Sequence, residues 1–214
     1  MTDTTITLYG MAGSTCTSKV LATLEEKNLA YTVEVVNLMK GEHKGPEHLA
    51  RQPFGVIPAM TLDGFTMYES GAIIRYLDRR FPEVPLAPAD HKGQAMMEQF
   101  MAVEYGYLGA PHGQILYQRI LNPMRGQPVD ASAIEKAREA LARVFGVLAQ
   151  RLASQPYLAG DTFSLADLVY LPALGTLNRS GDSDLIAANA AVATWAERIS
   201  TRPSWVKVKA MSAH

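Results

Sequence analysis

Apolar and polar positions alternate through "TITLYG" (residues 5–10) and then recur at helical spacing over residues 15–27. There Val20, Leu21 and Leu24 share one face, while Lys19, Glu25, Glu26 and Lys27 lie off it. The pattern predicts a strand and then a helix. "AYTVEVVNL" (30–38), dense in β-branched and aromatic residues, predicts a second strand. The polar stretch "MKGEHKGPEHLARQPFG" (39–55) is too rich in Gly, Pro and charge for a strand, with "PEHLAR" a short helix. In "IPAMTLDGFTMYES" two strands meet at Asp63-Gly64, a dipeptide suited to the positive φ angles of a tight hairpin. "SGAIIRYLDRRF" then predicts a helix opened by Ser70, with Ile73, Ile74 and Leu77 on one side. The order β-α-β-α-β-β-α is complete by residue 81.

Pro82, Pro85 and Pro88 mark residues 82–92 as a linker, because closely spaced prolines suit neither a helix interior nor a central strand. Beyond it the strand signal all but vanishes, and helices are expected at about 91–121, 131–153, 164–178 and 187–201, followed by a short tail. Ser164 stands three residues before Asp167, the spacing of a capping box. The expected architecture is an α/β domain over residues 1–81 and an all-α domain over 93–214.

Composition narrows the function classes. Of 214 residues 48% are hydrophobic and 19% charged, and the net charge of −1 offers no basic excess to phosphates, which argues against a nucleic-acid partner. The N-terminus has neither the basic flank nor the apolar core of a secretory leader, and no run of about 18 apolar residues occurs, so no membrane association and a cytoplasmic setting are expected. A single cysteine, Cys16, rules out an intrachain disulfide or a multi-cysteine metal site. His43, His48, His91, His112 and His214 show no ligand spacing, and no metal is expected.

Ser14 and Cys16 lie two positions apart where the first helix begins. Ser14 has the position of an N-cap, so it either caps the helix alone or also offers its hydroxyl to a ligand beside the positive helix end. Cys16 is four residues before Val20 and eight before Leu24, which puts it on the apolar face and predicts an inert, buried thiol. A dithiol mechanism is excluded because no second cysteine exists.

Four stretches, "GSTCTSKVLATLEEKNL", "GEHKGPEHLARQPFGVIPAM", "MYESGAIIRYL" and "YLAGDTFSLADL", occur in an order and spacing that resemble the cytosolic glutathione transferases over essentially the whole chain. "GEHK" with "PFGVIPA" resembles the phi class, whereas Ser14-Thr15-Cys16 is also similar to the Ser-Ser-Cys signature of the zeta class. The resemblance implies a thioredoxin-like domain that binds glutathione as co-substrate and a helical domain that supplies most of the pocket for a hydrophobic electrophile. It implies that Ser14 stabilises the glutathione thiolate, which at a free-thiol pKa of about 8.5 is scarce at neutral pH. Ile57 and a cis Pro58 would pair with the cysteinyl unit, Glu69 and Ser70 would hold the γ-glutamyl group, and His43 and Lys44 would bind the glycine carboxylate.

Met11, Ala12, Met101 and Tyr105 are expected to line the pocket for the second substrate, and hydroperoxides are possible substrates beside carbon electrophiles. A homodimer is also implied, with Phe54 either an interface anchor or a satellite core residue. The alternatives are a zeta-like glutathione-dependent isomerase and a non-catalytic carrier of hydrophobic ligands.

Overall fold

The computed structural model describes residues 4–211. Residues 1–3, at the start of the stretch weighed for a leader, and His214 lie outside them. The chain divides into two compact units. One comprises the described residues up to Pro85 together with those from Pro203 on, and the other is Leu86–Arg202.

In the first unit β1 (Ile6–Gly10) is followed by α1 (Thr15–Glu26), β2 (Thr32–Val35), α2 (Pro46–Leu49), β3 (Ala59–Leu62), β4 (Phe65–Tyr68) and α3 (Ser70–Arg80). The sheet order is β2-β1-β3-β4, with β2 parallel to β1 and the other two pairs antiparallel. This agrees with the α/β half read from the sequence. Asp63 and Gly64, at φ +48° and +85°, turn the hairpin between β3 and β4. The second strand is shorter than its apolar run, and as an edge strand it is largely exposed.

The core of this unit forms where Leu8, Met60 and Leu62 of the sheet and Val20, Leu21, Leu24, Ile73, Ile74 and Leu77 of the helices leave water. Packed against α3, α1 ends in a buried ion pair in which Lys27 Nζ lies 2.8 Å from Asp78 Oδ1 and also donates to the Val84 carbonyl. The unit is completed by α12 (Pro203–Met211), which packs on α1. There Lys207 pairs with Glu25 at 2.7 Å, Ser204 hydrogen-bonds Glu26, and Tyr31 bonds Glu25. The expected short tail is thus a helix begun by Pro203, and it belongs with the α/β unit rather than with the helical domain drawn from residue 93 onward.

The second unit contains α4 (His91–Val103), α5 (Gly109–Ile115), α6 (Asn122–Met124), α7 (Ala131–Leu152), α8 (Leu165–Leu168), α9 (Leu171–Ser180), α10 (Asp184–Ala187) and α11 (Ala190–Ser200). The 22-residue α7 is its centre, packed by α5, α10 and α11.

Two expected helices are interrupted. Residues 104–108 and 116–121 widen into π-helical turns, so the segment expected over 91–121 is not one regular α-helix. The segment expected over 164–178 breaks between α8 and α9, where Pro172 has no N–H to continue the ladder. The capping box forms as its spacing predicts: Asp167 accepts from Ser164 N and Oγ, each at 3.0 Å, and also from Leu158 N and Trp195 Nε1. Burial pushes the Asp167 carboxyl up, against the pull of these four donors.

Candidate functional site

Strand register assembles the candidate site. Tyr9 pairs with Ala59, Ala59 with Tyr68, and Gly10 with Val35, so one end of the sheet receives the chain leaving β1, β2 and β4 and the chain entering β3. That end therefore carries Met11–Ser14, the segment after β2, Ile57-Pro58 and Glu69-Ser70. Residues from four separate sequence stretches converge because the strand directions require it.

Ser14 is the N-cap of α1, with φ −69° and ψ 128°, and its Oγ accepts from Thr17 N at 3.4 Å. An oxygen that accepts from the helix still has a proton to donate. The first turn of α1 holds no acidic side chain, so the positive field of the helix end is not cancelled locally. Half-buried beside it are Met11 and Ala12. Cys16 is also half-buried, not fully withdrawn as its helical face suggests, whereas Val20 and Leu24 further along that face are.

After β2 a 3₁₀ turn, Glu42–Lys44, is tied down by Glu42 Oε2, which accepts from Asn37 N at 2.6 Å. Lys44 is exposed and donates to the Phe54 carbonyl at 3.2 Å, while His43 keeps a buried Nδ1 with no protein partner. Gly55 stands at φ +59°, and a Cβ there would come within 2.9 Å of the His43 carbonyl oxygen. Only glycine meets both conditions.

The peptide Ile57-Pro58 is cis. Ile57 is 8% exposed, yet neither its N–H nor its C=O bonds to another described residue. Glu69 adopts φ +69°, which costs a non-glycine residue roughly 1–3 kcal/mol and points to a functional constraint. Its exposed side chain does not cap α3, leaving that helix end open, and Ser70 begins the helix as a buried residue.

Phe54 is 69% exposed and meets the Tyr68 ring edge-on at 6.1 Å between centroids. In the second unit Met101 is fully buried, so it has no surface to give a ligand, whereas Tyr105 is 39% exposed within the first π-helical turn. That is a correction to the expected pairing of the two as pocket residues. Sequence reading passed over Gln52 and His48. Both are almost fully buried in a polar stretch, and each holds the backbone that leads into Ile57. Among the described residues no cluster of potential metal ligands occurs, and no helix is long and apolar enough to cross a membrane.

Comparison with known proteins fits this geometry. The N-terminal domain family of glutathione S-transferases matches residues 8–85, and the C-terminal domain family matches residues 108–203. Glutathione S-transferase F12 of Arabidopsis thaliana is 32% identical over 212 residues, covering 98% of this chain and 99% of that protein. Among solved structures, glutathione transferase F7 of Populus trichocarpa superimposes with a TM-score of 0.92 at 36% identity, covering 97% and 99% of the two chains. Glutathione S-transferase I of maize, in complex with an atrazine glutathione conjugate, gives 0.90 at 33% identity, covering 97% and 98%. With a thioredoxin-like unit, a helical unit and both family matches in order, the chain belongs to the glutathione S-transferases and resembles their phi class.

Proposed function

We propose that this chain joins glutathione to hydrophobic electrophiles and that Ser14 is its catalytic residue. The observation that carries this is the hydroxyl of Ser14, fixed as acceptor to Thr17 N at the uncancelled N-terminus of α1 with its own proton left to donate. A hydrogen bond to sulfur and the helix field both favour the thiolate over the thiol, lowering the pKa of the bound ligand. The thiolate attacks an electrophilic carbon, forming the C–S bond as the leaving group departs with its electron pair. Rate also comes from holding the two reactants together. An organic hydroperoxide is a second substrate class for the same thiolate.

Glutathione is an extended peptide with two carboxylates and an ammonium, and the sheet end offers complementary groups. The free backbone edge of Ile57 before Pro58 pairs with the cysteinyl unit as an added strand would. Glu69 faces the ammonium, while Ser70 and the open end of α3 hold the γ-glutamyl carboxylate. His43 and Lys44 take the glycine carboxylate. Met11 and Ala12 lie beside the sulfur, and the helical unit, taken by itself, exposes the ring of Tyr105 as apolar surface. The exposed ring of Phe54 is the proposed anchor of a homodimer, and the proposed setting is the cytoplasm.

The test follows the ultraviolet absorbance of bound glutathione thiolate against pH in the wild type, Ser14→Ala and Cys16→Ala. A thiol pKa well below about 8.5 in the wild type and Cys16→Ala, restored to that value in Ser14→Ala, is expected. Loss of activity in Cys16→Ala alone would move the reactive sulfur to the protein and overturn the assignment.

A further inference from the structure

His48, in α2, is 3% exposed, and its Nε2 lies 2.7 Å from the carbonyl oxygen of Val56. A carbonyl only accepts, so this ring nitrogen carries a proton and donates it. The Val56 carbonyl and the Ile57 N–H belong to one planar trans peptide unit and point in opposite directions. Fixing the carbonyl therefore fixes the direction of the N–H. That N–H has no partner among the described residues although Ile57 is buried, a cost that proteins rarely leave uncompensated.

We propose that His48 is a positioning residue for glutathione: by gripping the Val56 carbonyl it aims the Ile57 N–H at the cysteinyl carbonyl of the ligand. The inference rests on the glutathione reading above and adds to it a residue outside the ligand-binding set. The surrounding loop supports it, because residues 52–56 contain no regular structure yet are held at successive atoms. Gln52 Oε1 accepts from Phe54 N at 2.7 Å, Lys44 Nζ donates to Phe54 O at 3.2 Å, and Gly55 N donates to Gln52 O at 2.9 Å. The His48 bond is the last of these anchors before Ile57. Nδ1 of the same ring is buried with no protein partner, so the contact with Val56 is the bond that defines its orientation.

The test compares His48→Leu with His48→Gln, whose amide retains a donor, using glutathione and 1-chloro-2,4-dinitrobenzene as substrates. His48→Leu is expected to raise the KM for glutathione about tenfold, the change that follows from losing one well-placed neutral hydrogen bond. Its kcat should stay within about twofold of wild type and the thiolate pKa of bound glutathione should be unchanged, because Ser14 keeps its place, and His48→Gln should recover most of the KM. An unchanged KM in His48→Leu, or a fall in kcat that His48→Gln does not recover, overturns the proposal. Nitrogen NMR of the wild-type imidazole supplies a check that needs no variant to fold: a proton on Nδ1 and none on Nε2 also overturns it. If the wild type itself fails to bind glutathione in calorimetry, the transferase reading falls with it. If the wild type binds and His48→Leu binds equally well, only the role of His48 falls.

Discussion

The Oγ of Ser14 lies 3.4 Å from the backbone N of Thr17, so the serine that begins α1 is tied to the helix by a long bond. A long cap bond contributes little stability, and the two roles of Ser14 separate by magnitude. Ser14→Ala should cost no more than about 1 kcal/mol in chemical unfolding, the low side for loss of an N-cap. It should lower kcat/KM about 10²-fold, as removal of a donor from a developing anion does. Activity that falls only in step with stability would leave Ser14 as a cap.

Gly10 and Thr17 test how tightly that first turn is held. A Cβ on Gly10 would sit 2.7 Å from Thr17 Oγ1 and 2.8 Å from its Cγ2, and the Thr17 side chain is fully buried and branched. Gly10→Ala should therefore cost about 1–3 kcal/mol, with part of it recovered in the double variant with Thr17→Ala. Strict additivity in the double variant would mean that the two positions do not press on each other.

The pair Lys27–Asp78 should be worth more when broken than when replaced. Both side chains are out of water, 1% and 7% exposed. Lys27→Met leaves a buried carboxylate without this partner and should destabilise by roughly 3–5 kcal/mol, while Lys27→Met with Asp78→Leu should be much closer to wild type. Denaturant unfolding of the three proteins decides it.

Arg138 bonds both Asp182 and Asp184, and its hydrogen bond holds the exposed Asp184 carboxyl below the usual carboxylate range. A depressed folded-state pKa adds stability that is present above the unfolded value, about 3.9, and disappears as pH falls through the folded one. Asp184→Asn should accordingly be less stable than wild type at pH 7 and indistinguishable from it once the wild-type carboxyl is protonated. A gap between the two melting curves that does not change with pH would dissociate Asp184 from this linkage.

Local features were legible in the sequence because their partners are neighbours. Asp63-Gly64 makes its turn within two residues, and Ser164 meets Asp167 across three. Ser14, Glu69 and Ser70 were legible as residue types at element starts, but the positive φ of Glu69 was not, since nothing in a glutamate announces a conformation imposed by its surroundings. The cis state of Ile57-Pro58 was reached through family resemblance, because most X-Pro bonds are trans. His48 stayed hidden as one polar residue of the short helix α2 in a charged stretch, its partner eight positions away and a backbone atom. The break at Pro172 was legible in principle, but the apolar periodicity runs through it and outweighed the single missing N–H.

Helix α12 and α1 are joined by contacts such as Ser204 with Glu26, 178 residues apart in the chain. During synthesis the residues up to Pro85 therefore emerge from the ribosome before the whole helical unit, and their own unit stays open until Pro203–Met211 follows and closes over the helix that Ser14 begins. A stop just after residue 202 would spare every residue proposed to touch glutathione and still strip the cover from that helix, so a lesion remote in sequence from Ser14 would read out as a defect in handling sulfur.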